Sequence, residues 1–517
     1  MKRTESQILN IRESQNHDYI YELQSKFPTI NFKRLVKTES TYNGSKRTKT
    51  MESENIFIEG QIKKALTSVH LPTQAQILRR KFLYFSQNES KHEIYKFDDA
   101  KELTVKERFV IHYIGHATML IQVSGFTILT DPIFYGLDRY YPEKTKSYPF
   151  IQYLPRIDVI LITHNHRDHV DRRSLQELLE FYRTKMWSQP KVLVPMGDKK
   201  LLQTFGFLYI TELDWFSRIT IKGNRTIINF VSIPADQKSS RYQINPHKSL
   251  VTGWIINPEK EDVIFKYTGD TRSLSLPTQL AIDACIYNEI TKKSYNIGSP
   301  EGNTNIPKII CFEPSGPNYT RCAVEANHQS SSYSALLKFI EIRNLSTISG
   351  IPIDSFLPRV KTVMFHHNKF QLGPDRFNEG KFVTKKLLNY LHLDDDILNK
   401  EYERQKRKLE KHLDREKLKD ALPLPSRSVI ANLPTHTSIL VRSKDFIIQD
   451  IQTVLTQFDM DREKLRKLLI GYLVKNTVFP MIGERMTYED LMKASFIDCE
   501  KYGGGNMQKE LKIENTL

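Results

Sequence analysis

Hydrophobic and polar positions divide the 517-residue chain into three stretches of different character. Up to residue 53 it is polar, with Ser, Thr, Asn, Lys and Arg scattered and no sustained apolar period. Such a stretch has little to bury, which predicts a flexible arm over 1–53 with one short helix near Asp18–Lys26. Residues 54–100 are intermediate and read as partly helical. From Arg108 the pattern sharpens. Phe109–Ile114, Ala117–Val123 and Phe126–Thr130 are rich in β-branched and aromatic residues, and Gly115 and Ser124-Gly125 separate them as turns between antiparallel strands do. Ile157–Thr163 is a short apolar run of the kind found in a strand covered on both faces. Leu175, Leu178, Leu179 and Tyr182 then recur at helical spacing. Val192–Val194, Ile227–Ile233, Leu250–Ile256, Val263–Tyr267, Ala281–Tyr287 and Val360–Phe365 read as further strands, Ser332–Arg343 and Lys381–Leu391 as helices. This order fits an α+β fold of two mainly antiparallel sheets covered by helices, and by itself leaves other α+β folds open.

Near Asn399 the pattern changes again. Glu401–Lys419 is dense in both charge signs, Leu422-Pro-Leu-Pro-Ser reads as a hinge, and Phe446–Val474 has helical spacing with Ile447, Ile451, Val454 and Leu455 on one face. The expected organisation is an arm over 1–53, a folded domain over 54–398 and a helical extension over 399–517. No run of about 18 apolar residues predicts a membrane-spanning helix, and the N-terminus lacks the apolar core of a signal peptide. The expected location is the cytoplasm or a membrane surface.

Charge narrows the partners. Lys and Arg outnumber Asp and Glu by 76 to 60, for a net charge of +16. The mean hydropathy is −0.46 and the isoelectric point about 9.3. A balance of this sign favours an anionic partner: nucleic acid, an acidic membrane surface or an anionic substrate. The four cysteines, Cys285, Cys311, Cys322 and Cys499, have no zinc-type spacing and read as isolated thiols of a reducing compartment.

The most informative stretch is Leu161-Ile-Thr-His-Asn-His-Arg-Asp-His-Val-Asp171. It places three of the chain's 15 histidines, His164, His166 and His169, within six residues and beside Asp168. A loop at a strand's end can aim alternate side chains at one point, and imidazole with carboxylate is a ligand set for zinc, iron or manganese. Asp270, in Tyr267-Thr-Gly-Asp-Thr271, and His366, after Val363-Met-Phe, also follow apolar strands. Singly, the first reads as a turn aspartate and the second as an ordinary core histidine. Together with the loop they form an ordered set, H-x-H-x-D-H, then D, then H, each at a strand end.

With these residues the chain resembles the metallo-β-lactamase superfamily. More narrowly it is similar to the branch that contains N-acyl-phosphatidylethanolamine phospholipase D and the ascorbate-phosphate lactonases. The similarity runs through Ile114-Gly-His-Ala-Thr118, Leu129-Thr-Asp-Pro-Ile-Phe134, Leu154-Pro-Arg-Ile-Asp158, the His164–Asp171 loop, Glu212-Leu-Asp-Trp215, Gly253-Trp254, Thr268-Gly-Asp-Thr271, Asn327-His328 and the His366 segment. It covers about 105–395, with insertions near 291–312 and 345–359. The resemblance implies an αββα sandwich and a hydrolase, a phosphodiesterase or phospholipase D, working on a phospholipid. It implies that His164 and His166 hold a first metal, that Asp168, His169 and His366 hold a second, and that Asp270 bridges the two. Asp168 and Asp270 would thereby serve catalysis. His328 would stand on the substrate side, near the scissile phosphate. Nucleic acid is not favoured as a partner, and nothing in the sequence sets the oligomeric state.

One position departs from the pattern. The branch carries P-A-x-H-x-S-x-R after a strand, and its histidine completes the first metal site. This chain reads Pro234-Ala-Asp-Gln-Lys-Ser-Ser-Arg241, so Gln237 stands where the histidine belongs. An amide oxygen is a poorer zinc ligand than imidazole and suits harder metals, and Asp236 would substitute only through a shifted loop. The expectation is one tight and one weak zinc site, with manganese or iron as alternatives. Three other readings stay open at this point: a lactonase or soluble-substrate phosphodiesterase of the same branch, a weakened metal-binding scaffold whose helical extension binds a partner, and di-iron oxidative chemistry.

Overall fold

A computed structural model describes chiefly residues 12–32, 108–134, 150–296, 306–315 and 331–366, with gaps, and a few residues between 472 and 493. The chain opens with β1 (Arg12–Asn16) and α1 (Tyr19–Lys26). A meander follows: β2 (Phe109–Gly115), β3 (Thr118–Val123) and β4 (Phe126–Thr130). Then come α2 (Phe150–Tyr153), β5 (Val159–Leu161), α3 (Arg172–Thr184), β6 (Lys191–Pro195), α4 (Lys199–Phe205) and β7 (Ile210–Leu213). The second half holds β8 (Arg218–Lys222), β9 (Ile227–Pro234), β10 (Thr252–Pro258), β11 (Val263–Tyr267), α5 (Leu276–Asn296), β12 (Lys308–Ser315), α6 (Ser331–Ser349), α7 (Ile353–Phe356) and β13 (Val360–His366). Last are β14 (Thr477–Val478), β15 (Arg485–Thr487) and α8 (Tyr488–Lys493).

The strands form two mixed sheets, ordered β1-β8-β9-β10-β11-β12-β13-β14 and β15-β2-β3-β4-β5-β6-β7. Period-2 alternation explains how they stack. Phe109, Ile111 and Tyr113 of β2, with Met119 and Ile121 of β3, face Phe230, Trp254, Phe265 and Phe312 of the other sheet in one buried core. The alternate residues Leu120, Leu129 and Ile160 turn outward against Leu175, Leu178, Leu179 and Tyr182 of α3. The far face of the larger sheet packs Ile255, Ile264 and Cys311 against α1, α5 and α6. Helices cover both outer faces, so the layers are αββα, as expected. Both faces of most strands are covered, and β2 is accordingly buried at all seven positions.

The structure corrects three expectations. Residues 12–32 are part of the domain: β1 pairs antiparallel with β8, Arg12 opposite Lys222, and Tyr19, Leu23 and Phe32 are fully buried. Ala281–Tyr287 is helix, the middle of α5, because Ala281, Ile282, Ala284, Cys285 and Ile286 are buried on several sides and therefore show no helical stripe. Residues after 399 are not only an appendage. β14 extends one sheet beside β13, and β15 extends the other beside β2, Arg485 opposite His112. The charged helix at 401–419, the hinge at 422–426 and the helix at 381–391 lie outside the described residues, as do 54–107.

Candidate metal centre

The histidine loop lies at the carboxyl end of β5, held from both sides. Behind it, Asp171 caps α3, its Oδ2 accepting from the Ser174 backbone N at 2.8 Å and from Ser174 Oγ at 2.6 Å. In front, Trp254 Nε1 donates to the Ile162 carbonyl at 3.0 Å, and the Thr252 backbone N donates to the Thr163 carbonyl at 2.9 Å. Asn165 Nδ2 bridges Asp198 Oδ1 at 3.0 Å and Ser249 Oγ at 2.8 Å. The loop backbone is thus fixed by contacts from both sheets, and its side chains need little further ordering to act as ligands.

Those side chains converge. His164 Nε2 lies 2.8 Å from His166 Nδ1 and 3.8 Å from Asp270 Oδ2, and His169 Nε2 lies 3.0 Å from the same Asp270 oxygen. His164, His169 and Asp270 are fully buried. Their ligand atoms all lie within 4.8 Å of one another, and those of His116, Asp168 and His169 form a second such group. His169 belongs to both, and Asp168, a fifth exposed, borders the more open one. Asp270 reaches the cluster because Gly269 precedes it. Gly269 has φ +58°, and a Cβ there would lie 2.5 Å from Thr163 Cγ2. Only a glycine lets the loop after β11 pass so close to the histidine loop.

Burial, reinforced by His169 and His166, pushes the His164 pKa well below its usual value, so its imidazole is neutral and keeps a lone pair. At His169 burial again opposes charge, but Asp270 and Asp131 outweigh it and hold the pKa well above the usual value. Asp131 follows β4 with φ +34° and is fully buried. Its Oδ2 takes His169 Nδ1 at 2.8 Å, Thr163 Oγ1 at 2.7 Å and the Tyr267 hydroxyl at 2.7 Å, while Oδ1 accepts from the Thr163 backbone N at 2.8 Å. Burial and Asp131 raise the Tyr267 pKa, so its phenol stays protonated and donates. A ligand histidine whose other nitrogen is anchored on a carboxylate is a recurrent device of metal sites.

These groups fit a divalent ion by donor chemistry: imidazole nitrogens and carboxylate oxygens from separate segments, desolvated, with one imidazole held neutral. Of the residues picked from sequence, the structure brings together His164, His166, Asp168, His169 and Asp270. His366 is the last residue of β13, paired in register with Ser315 of β12. Gln237 is buried. Asp236 and His328 lie outside the described residues. Sequence reasoning missed roles for His116 and Asp131, although both stand in the motifs that carry the resemblance. The usable signal was their placement at the turns ending β2 and β4, which the loop after β5 must approach.

The chain is similar to known proteins over part of its length. Residues 126–285 match the β-lactamase superfamily domain. Over 163 residues the chain is 29% identical to the mitochondrial N-acyl-phosphatidylethanolamine-hydrolyzing phospholipase D of Saccharomyces cerevisiae, covering 31% of this chain and 33% of that one. Over 173 residues it is 28% identical to N-acyl-phosphatidylethanolamine-hydrolyzing phospholipase D 1 of Caenorhabditis elegans, covering 31% and 46%. The chain thus spans less than half the length of these curated relatives. Among solved structures it is similar to Igni18, a metallo hydrolase of Ignicoccus hospitalis, with 18% identity, TM-score 0.31, and coverage of 54% of this chain and 91% of that one.

Proposed function

We propose that this chain, which carries a β-lactamase superfamily domain, is a metal-dependent hydrolase that cleaves a phosphodiester bond of an N-acyl-phosphatidylethanolamine-like phospholipid. The observation that carries the reading is the convergence of His164, His166, Asp168, His169 and Asp270 where β5 and β11 end. The named activity of the two curated relatives supports the phosphodiester, and the charge of +16 supports an anionic bilayer surface. Each basic residue near such a surface contributes about 1 kcal/mol of attraction at low salt.

The roles are those that the resemblance implies. His164 and His166 would hold one ion, Asp168, His169 and His366 a second, with Asp270 between them. Bound ions would supply Lewis acidity toward phosphoryl oxygens and bring the pKa of a water near 7. Asp131 fixes His169 through Nδ1 and so aims Nε2 at the site. Trp254 and Gly269 keep the two loops in register, and neutral His164 offers its lone pair without first losing a proton. His328 is proposed on the substrate side, donating to a phosphate oxygen.

The test pairs elemental analysis of native protein with incubation on vesicles containing N-acyl-phosphatidylethanolamine and on a water-soluble nitrophenyl phosphodiester. Release of phosphatidic acid from vesicles, lost in Asp168→Ala, is the expected result. Hydrolysis of the soluble ester alone would replace the lipid by a soluble substrate. Metal binding without hydrolysis of either would leave the scaffold reading, which the buried Gln237 favours. An iron-loaded protein would favour oxidative chemistry.

A further inference from the structure

We propose that His116 is a further ligand residue, sharing an ion with Asp168 and His169. This rests on the metal reading above and adds a donor from a segment that the expected ligand set does not include. His116 occupies the turn between β2 and β3 and is fully buried. Its Nε2 lies 3.4 Å from Asp168 Oδ2, and its ring meets that of His169 edge-on with centroids 5.1 Å apart. One ligand atom from each of the three residues lies within 4.8 Å of the others.

The separation is compatible with a shared ion. A charge-assisted N–H to carboxylate bond closes to about 2.7–2.9 Å. Two donors on a tetrahedral ion with bonds of about 2.0–2.1 Å stand about 3.3–3.4 Å apart, the edge of the tetrahedron. At 3.4 Å the His116–Asp168 pair is longer than a charge-assisted bond and is spaced as two donors on one ion would be. The wider His169 Nε2–Asp168 Oδ2 distance of 4.0 Å leaves room between those groups for an ion to draw them together.

The turn is built to hold His116 there. Its φ is +53°, a conformation costly for a side-chain-bearing residue, and such strain persists only where surroundings over-determine it. The surroundings do so here. The Tyr113 hydroxyl donates to the His116 carbonyl at 3.1 Å, and the next carbonyl, that of Ala117, accepts from Thr130 Oγ1 at 2.8 Å and lies 2.8 Å from the Tyr267 hydroxyl, whose one hydrogen is shared with Asp131. Thr118 Oγ1 donates to the Asp131 carbonyl at 2.7 Å, locking this turn to the one that bears Asp131. The residue that aims His169 and the turn that carries His116 therefore move as one unit.

His116→Asn tests the assignment, because Asn tolerates a positive φ and removes the imidazole with little strain on the turn. Cobalt(II) is titrated into metal-stripped full-length protein against a competing chelator, following both affinity and the visible absorption that reports coordination number. The expected result is a loss of at least about tenfold in affinity at one site, with a changed spectrum and circular dichroism like the wild type. Wild-type affinity and spectrum in the variant would overturn the proposal while leaving the hydrolase reading intact. No cobalt binding by the wild type would overturn both. Should His116→Asn fold poorly, His116→Gly, equally free at positive φ, answers the same question.

Discussion

Asp131 and His169 lie on different strand ends, yet the Asp131 carboxylate sits 2.8 Å from His169 Nδ1. A carboxylate only accepts, so without an ion both His169 nitrogens carry protons, Nδ1 toward Asp131 and Nε2 toward Asp270, 3.0 Å away, and the Nε2 proton is the one an ion would displace. Asp131 thereby decides which nitrogen an ion would meet. Asp131→Asn keeps the shape but weakens an acceptor on which His169, Thr163 and Tyr267 all depend. Metal affinity, measured by chelator competition, should fall about 10–100-fold. Stability should fall by about 1–3 kcal/mol in denaturant unfolding. A variant with wild-type affinity would reduce Asp131 to a structural part.

The packed N-terminal segment makes a second prediction. Phe32 is fully buried and meets Phe216 edge-on with ring centroids 5.3 Å apart. Tyr19, also buried, donates to Glu289 Oε1 at 2.7 Å. Phe32→Ala should cost about 3–5 kcal/mol, and removal of 1–33 should give insoluble protein. A soluble, metal-binding truncation would show that the larger sheet closes without β1 and α1.

How far the sequence could be read follows from what each signal depends on. The strands β2, β3 and β4 were legible because β-branched and aromatic runs are broken at Gly115 and Ser124-Gly125, and the metal loop was legible because histidines are scarce elsewhere. Arg12–Asn16 was not, since RESQN is polar and its place in the sheet is set by its pairing with β8. Ala281–Tyr287 was misread because a helix buried on several sides and a buried strand give the same apolar run. Asp131 and His116 stood inside recognised motifs, but their roles depend on which strand ends meet in space. The short strands β14 and β15 are defined by their partners β13 and β2 and carry almost no pattern of their own.

Lys293 gives a pH dependence of definite sign. It is almost wholly buried on α5, where Nζ donates to Asn257 Oδ1 at 2.7 Å and to the Pro258 carbonyl. Burial lowers its pKa to about 8, with Asp262, Glu289, Glu261 and Glu259 partly restoring it. Between about pH 8 and the ordinary lysine value the unfolded chain holds the extra proton. In that window this group's contribution to stability rises with pH, by up to about 1.4 kcal/mol per unit, and below it the contribution is flat. Lys293→Gln should remove that slope. Parallel stability curves for both proteins between pH 7.5 and 10, measured by denaturant unfolding, would refute the assignment.

The last prediction concerns Gln237, which is buried and which the resemblance would set at the position of the branch's metal-ligand histidine. An amide contributes at most one neutral oxygen to an ion beside His164 and His166, so zinc there should bind less tightly than at the site of Asp168 and His169. Protein as purified should hold closer to one tight equivalent than two, and hydrolysis should increase when zinc or manganese is added in excess. Gln237→His restores a third imidazole and should tighten the weak site by at least about tenfold, since each imidazole is a stronger zinc donor than an amide. Activity need not follow, because the position that Gln237 leaves open could serve a substrate group. The comparison that decides is a metal titration of wild type against Gln237→His by calorimetry. Two equally tight sites in the wild type, unchanged in the variant, would show that another residue completes the first site, and Asp236 would be the next to replace.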